Sequence, residues 1–434
     1  MELEKRKVLV VIGTRPEAIK LLPLIQAFRH SGVIQPVVVS SGQHSELVRE
    51  VLGLAGLEPD VDLGAAVPGN TLSELFASVM TRLEQYCHDQ YGTPPDDGDR
   101  YSPRPRNYPV ACFVHGDTST AAAAALAAFH MRIPVAHVEA GLRTSDTLSP
   151  FPEEANRQLV SRLATFHFAP TFRNKANLVR EGVPYGRIFV CGNTAIDALQ
   201  WAASLKEPYG DPALDDLEND DTRRVIVVTA HRRENWGPGL KRIGTAVAKL
   251  ARRYPDARFV VPLHPNPRVQ STLRPLLENL DNVSLVAPMR YPAFARLLQR
   301  AYLAITDSGG IQEEAPSLHT PVIVVRETTE RQEGVDSGTL ELVGTKTARI
   351  VAAVTRLMDD PEAHRSMSNR PNPYGDGRAA ERIVAASAYI AFNSPSPAPY
   401  GNGFERVEVL RAAGFVVDPV DFLADPDTDR TLGG

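Results

Sequence analysis

Short apolar runs recur along the chain, each closing on a polar tip and followed by a longer amphipathic stretch. In the first half they are residues 7–12 (KVLVVI), 35–40 (QPVVVS), 110–117 (VACFVHGD), 133–141 (IPVAHVEAG) and 187–193 (RIFVCGN). In the second half they are 225–229 (VIVVT), 259–267 (FVVPLHPNP), 283–288 (VSLVAP), 301–307 (AYLAITD) and 321–327 (PVIVVRE). Runs this short, bounded by turn residues, read as buried strands, and the stretches between them as helices. Strands alternating with helices predict α/β architecture with parallel sheets. Residues 118–131 (TSTAAAAALAAFHM) are rich in the best helix former and open on Thr and Ser. Pro16 suits a first helical position and Glu17 the positive end of the helix dipole, whereas Pro23 predicts a kink or a break.

The stretch 110–141 reads as strand, helix and parallel strand, a right-handed unit whose strands end at one sheet edge. Asp117 lies just past the first strand and Glu139 at the end of the second. Neighbouring strands run about 5 Å apart, so both carboxylates are expected to face one crevice at the carboxyl edge. A third acid, Glu153, comes from the following loop.

At 434 residues, two domains are expected. The boundaries read as 1–195 for a first Rossmann-like domain and 196–375 for a second, with residues 206–221, rich in Asp, Glu and Pro, as the hinge or its neighbour. Residues 376–393 carry a helix and 394–434 an extra tail, opened by the linker-like SPSPAPYGNG. Residues 92–109 (GTPPDDGDRYSPRPRNYP) read as an inserted surface loop. Two doubly wound sheets leave a cleft between facing carboxyl edges.

Composition narrows the function. A net charge of −5 with no basic tract argues against a nucleic-acid partner. Cys87, Cys112 and Cys191 have no metal-binding spacing and read as buried thiols. No signal peptide and no apolar run approaching the roughly 20 residues of a membrane span is seen, so a cytoplasmic location without membrane contact is expected. His115, His137, His231 and His264 lack local metal-site spacing, so no metal is expected.

Residues 306–316 (TDSGGIQEEAP) form the clearest anion site: a strand end, a glycine turn and a helix start. The N–H groups of Ser308, Gly309 and Gly310 would point at a phosphate, and Glu314 would take ribose hydroxyls. The alternative is an ordinary helix start capped by Asp307. The stretch departs from P-loop and dinucleotide fingerprints, which favours a nucleoside diphosphate over NAD or ATP. His231-Arg232-Arg233-Glu234-Asn235 follows a strand, where its cations could neutralise a leaving diphosphate; Arg15 and Lys20 hold the matching place in the first half.

Eight segments occur in an order that identifies a family: 13–20 (GTRPEAIK), 115–120 (HGDTST), 137–144 (HVEAGLRT), 151–157 (FPEEANR), 192–199 (GNTAIDAL), 231–237 (HRRENWG), 306–318 (TDSGGIQEEAPSL) and 326–339 (RETTERQEGVDSGT). From about residue 7 to about 387 the chain resembles the non-hydrolysing UDP-N-acetylglucosamine 2-epimerases. The resemblance implies a glycosyltransferase-B-type fold, with two Rossmann-like domains across a cleft and a C-terminal helix crossing back to the first. It implies a homodimer, a small-molecule UDP-sugar partner and no cofactor. The activity implied is C2 epimerisation of UDP-N-acetylglucosamine to UDP-N-acetylmannosamine by elimination of UDP and re-addition. The rivals are a hydrolysing 2-epimerase and a glycosyltransferase of the same fold. By motif, Asp117, Glu139, Glu153 and His231 match catalytic groups. Arg15, Lys20, Arg143, Arg232, His264, Ser308, Gly309, Gly310 and Glu314 match substrate contacts, and Phe294 falls where a ring would pack on uracil. Some members carry a regulatory substrate site near Gln43 and His44; Ser45 and Glu46 follow here, and that role stays open.

Overall fold

The computed structural model describes residues 5–93, 107–144, 146–218, 220 and 222–392. Most of the 92–109 insert and the whole 394–434 tail lie outside the described residues.

The chain divides into two compact units, one of residues 1–198 with 377 onward and one of Leu199–Asp376. The first unit holds β1 (Arg6–Ile12), β2 (Ile34–Ser40), β3 (Val61–Asp62), β4 (Ala111–His115), β5 (Val135–Val138), β6 (Phe166–Ala169) and β7 (Ile188–Val190). They form one seven-stranded sheet in the order β3-β2-β1-β4-β5-β6-β7, with every pairing parallel. The second unit holds β8 (Val225–Thr229), β9 (Arg258–Pro262), β10 (Val283–Val286), β11 (Leu303–Thr306), β12 (Val322–Val324) and β13 (Leu340–Leu342). These make a six-stranded parallel sheet ordered β10-β9-β8-β11-β12-β13. In each sheet the strand order reverses beside the first strand, between β1 and β4 and between β8 and β11. Crevices at such switch points are where open α/β sheets bind ligands.

Both faces of the first sheet are covered, which is why its strands are apolar without alternation. Leu9, Val11, Cys112 and Val114 pack with helices Leu72–Tyr91 and Ser119–His130. On the other face Phe113 meets Phe28 edge to face at 4.9 Å. Alanines fill helix Ser119–His130 and are fully enclosed from Ala121 to Ala125, so the helix can lie close on the strands.

Helix Arg15–His30 runs through Pro23 without a break. Interior proline costs about 3 kcal/mol, and burial of Leu21, Leu22, Leu24, Ile25 and Phe28 offsets it. Of the 206–221 segment, Tyr209, Leu214 and Leu217 sit in the core of the second unit, so it neighbours the division. The division falls earlier, within helix Thr194–Ser204. The end of the 92–109 insert is not surface either, since Tyr108 is enclosed and donates to the Met131 carbonyl at 3.0 Å. Helix Ala379–Phe392 belongs to the first unit; its first amides, from Ala379 and Ala380, donate to buried Asp197 at 3.2 and 2.8 Å. All three cysteines are buried free thiols.

A row of histidines crosses the first sheet. His115 ends β4, and His137 on β5 faces His167 on β6 in register. Burial holds their pKa values down to about 3, about 4 and about 3, against 6.5 for a free ring. Each folded pKa lies below the unfolded one, so the stabilisation from a neutral ring is complete above pH 6.5. It is lost as pH falls toward 4 and below. Unfolding free energy, measured with urea, should therefore drop between pH 6.5 and 4. His167→Phe should make that slope shallower by about 1.4 kcal/mol per pH unit; an unchanged slope would contradict the assignment.

Candidate active site

At the switch point of the first sheet, the turns after β1 and β4 touch. A Cβ at Gly13 would lie 2.3 Å from Thr120 Oγ1, so only glycine admits this approach. Glu17, 2 % exposed, ties the two turns together. Its carboxyl accepts from Gly13 N at 3.1 Å, Thr14 N at 2.7 Å, Thr14 Oγ1 at 2.8 Å and Thr118 Oγ1 at 2.7 Å. Burial pushes its pKa up to about 7 although these four donors pull the other way. Arg15 opens helix Arg15–His30, half-buried, on the same turn.

Asp117 follows β4 after Gly116, whose φ is +64°. Its carboxyl pairs with Arg157 at 2.5 Å, and Asn156 Nδ2 donates to its carbonyl at 2.9 Å. Burial raises the Asp117 pKa against the pull of Arg157, and the neighbouring Glu139 charge adds to the rise. Glu139 follows β5 with φ +63°, a left-handed conformation rare outside glycine and often kept at functional positions. Its Oε1 is ion-paired with Lys20 and lies 3.4 Å from Asn193 Nδ2. Its Oε2 lies 3.9 Å from His115 Nε2. A Cβ on Gly116 would come within 3.2 Å of that same Oε2. Glu153 is the first residue of helix Glu153–Leu163, which also carries Asn156 and Arg157. The first unit thus supplies two cation-paired carboxylates at one sheet edge, with the third acid on the helix that contacts Asp117.

Arg143, expected beside the substrate, is held by protein partners. Its guanidinium grips Glu181 at 2.7 and 2.8 Å, Ser161 Oγ at 2.8 Å and the Leu142 carbonyl at 2.8 Å. The cation that meets Asp117 is Arg157, which the sequence reading did not single out. Its signal was its place one helical turn after Glu153, on the same face. Gln43 Oε1 accepts from Thr120 Oγ1 at 2.9 Å, and His44 N donates to the Gly13 carbonyl at 3.0 Å, with the His44 side chain exposed.

In the second unit, the turns after β8 and β11 meet through Asp307, which is fully buried. Its carboxyl accepts from His231 N at 3.0 Å, Arg232 N at 2.9 Å and Asn235 Nδ2 at 3.0 Å. Asp307 is therefore a cross-link between turns; the N-cap position of helix Gly309–Glu314 belongs to Ser308. The Ser308 amide donates to Thr306 Oγ1 at 2.9 Å. The amides of Gly309 and Gly310, in the first turn, have no acceptor within their own helix. A Cβ on Gly310 would meet nothing nearer than 3.9 Å, whereas one on Gly309 would press on the Arg331 guanidinium at 3.0 Å. Arg331 is a second cation missed in the sequence. The His231 and His264 rings stack, 5.3 Å apart and 5° from parallel. Burial lowers the His231 pKa, opposed by Asp307. Arg232 is exposed, Glu314 half-buried, and Phe294 packs half-buried against the core.

Residues 104–388 match the sequence model of the UDP-N-acetylglucosamine 2-epimerases. A UDP-N-acetylglucosamine 2-epimerase of Yersinia pestis is 46 % identical over 384 residues, covering 88 % of this chain and 98 % of the relative. The chain belongs to the UDP-N-acetylglucosamine 2-epimerase family. The epimerase of Escherichia coli strain K12 is 44 % identical over 384 residues, covering 88 % of this chain and 98 % of the relative. The crystal structure of the Neisseria meningitidis UDP-GlcNAc 2-epimerase bound to UDP-GlcNAc superposes with a TM-score of 0.73. It is 43 % identical, covering 87 % of this chain and 98 % of that one. As a member of this epimerase family the chain has its Asp117, Glu139, Glu153, His231 and Ser308 to Gly310 all inside the matched span. Among the described residues, no helix is long and apolar enough to cross a membrane.

Proposed function

We propose that the protein interconverts UDP-N-acetylglucosamine and UDP-N-acetylmannosamine without net hydrolysis, as a cytoplasmic homodimer. The observation that carries this reading is the pair of carboxylates at one sheet edge, Asp117 held by Arg157 and Glu139 by Lys20. Such a pair can take a proton from one face of a sugar and return one to the other. The acids of the first unit are assigned to the sugar, and the glycine turn of the second to the diphosphate.

The C2 hydrogen of the sugar is a poor acid, since no carbonyl adjoins it. The C1–O bond must weaken first, its electron pair leaving with UDP. The amides of Gly309 and Gly310, with Arg15, Arg232 and His231, are assigned to the developing diphosphate charge. His264 is assigned to supporting the His231 ring, Phe294 to uracil and Glu314 to the ribose. As C1 becomes cationic, one carboxylate takes the C2 proton and the C2–H pair forms the C1=C2 bond of a 2-acetamidoglucal. Re-addition of UDP at C1, with a proton delivered to the opposite face of C2, gives the epimer. Glu153 is assigned to the same sugar as the third acid.

The test is proton NMR of the enzyme with UDP-N-acetylglucosamine in deuterated water. Deuterium should enter C2 of both epimers while UDP stays bonded to sugar. Retention of hydrogen at C2 would overturn the proton-transfer route, and stoichiometric release of UDP with free N-acetylmannosamine would favour the hydrolysing alternative.

A further inference from the structure

His115 is 3 % exposed, and its Nε2 is enclosed with no hydrogen-bond partner. A buried polar atom left unpaired is destabilising, so its persistence calls for a purpose. The nearest acidic group is Glu139, whose Oε2 lies 3.9 Å away. Lys20 and Asn193 both address the other oxygen, Oε1. The groups that face the His115 ring electrostatically are Glu139, Lys20 and His137.

Burial holds its pKa down to about 3, so the ring is neutral and one of its two nitrogens carries a lone pair. With the ring proton on Nδ1, the unpartnered Nε2 turns that lone pair toward Glu139. A lone pair facing a carboxylate is of no use while the carboxylate is ionised. It becomes useful once Oε2 bears a proton.

We propose that His115 is a positioning residue for Glu139, its Nε2 accepting the hydrogen bond of the protonated carboxyl formed when Glu139 removes the sugar C2 proton. This rests on the assignment of Glu139 as a proton-transfer group. The C2–H electron pair stays with the sugar as the new double bond, the proton goes to Glu139 Oε2, and His115 accepts a hydrogen bond without itself becoming charged. A shift of under about 1 Å closes the contact, and catalytic hydrogen bonds are often long before substrate binds. The neutral ring also leaves the ion pair of Glu139 with Lys20 undisturbed.

The experiment compares His115→Gln, whose amide oxygen reaches the place of Nε2, with His115→Asn, whose amide is too short. Both are polar and no larger than imidazole, and thermal unfolding checks that both fold. In the His115→Asn enzyme, kcat for epimerisation should fall about 10- to 100-fold, with KM for UDP-N-acetylglucosamine within about twofold. The Gln enzyme should recover most of that loss. Equal activity of the two variants, or a His115→Asn enzyme with parental kcat, would overturn the proposal. Glu139→Gln, measured alongside, separates the two levels of inference. If it is inactive while both His115 variants are normal, the role of His115 fails and that of Glu139 stands; if it is fully active, the Glu139 assignment fails and the proposal falls with it.

Discussion

Glu139→Gln and Asp117→Asn are each expected to lower kcat by about 10²- to 10⁴-fold, the usual worth of a proton-transfer group, while thermal stability stays close to that of the parent. Each change keeps the side-chain shape and one carbonyl oxygen. In Glu139→Gln that oxygen can still accept from Lys20, and the left-handed backbone at φ +63° is already imposed by its surroundings. In Asp117→Asn the buried Arg157 keeps Glu154 as a partner at 3.0 Å. What both variants lack is a basic oxygen able to take a proton. Steady-state turnover followed by NMR, with the melting temperature as control, checks the result. Near-parental rates in both enzymes would remove the acids from the mechanism. A loss in only one would assign the rate-limiting proton transfer to that carboxylate.

The strands were legible because parallel strands covered on both faces are apolar throughout, as in VACFVHGD and VIVVT. Where that condition weakens, the reading weakens. The two-residue β3 is too short to show a pattern, β6 is divided by His167, and β13 by Glu341. Residues 206–221 look like a linker by composition. Tyr209, Leu214 and Leu217, spaced among the acids, nevertheless bury enough apolar surface to dock the segment on the second sheet. Pro23 does not break its helix because helix propensity is local and the burial that overrides it is not.

The acids were legible for a topological reason: a residue at the end of a parallel strand must face the carboxyl edge, whatever the side-chain details. Their partners were not. Arg143 and Arg157 lie on either side of the same loop, and only the fold decides that one clamps Glu181 and the other meets Asp117. The strained backbone of Glu139 leaves no trace in residue type, since glycine would be the ordinary choice for such a φ. Ser308 shows the same limit: its place in a glycine turn is legible, but the contact of its amide with Thr306 Oγ1 is not.

Asp307 offers the largest expected effect in the second unit. A helix-capping aspartate at an exposed start is worth about 1 kcal/mol. Asp307 instead collects the amides of His231 and Arg232 and the Asn235 side chain in a fully buried position. Asp307→Ala would strand these donors, and we expect unfolding free energy to fall by roughly 3 kcal/mol, since each buried unpaired donor costs about 1–3 kcal/mol. The same bonds fix where the turn after β8 sits relative to the turn after β11, and so where His231 and Arg232 lie relative to Gly309 and Gly310. Affinity for UDP should therefore drop by about tenfold or more, the equivalent of roughly 1.4 kcal/mol. Asp307→Asn keeps one acceptor oxygen but turns an amide N–H₂ toward donors, so it should fall between Ala and the parent in both measurements. Urea unfolding and calorimetric titration with UDP report the two effects separately. A stable variant with normal UDP affinity would mean that the turns hold their places without this carboxyl. A destabilised variant with normal affinity would confine Asp307 to folding and leave the diphosphate site to the glycine turn alone.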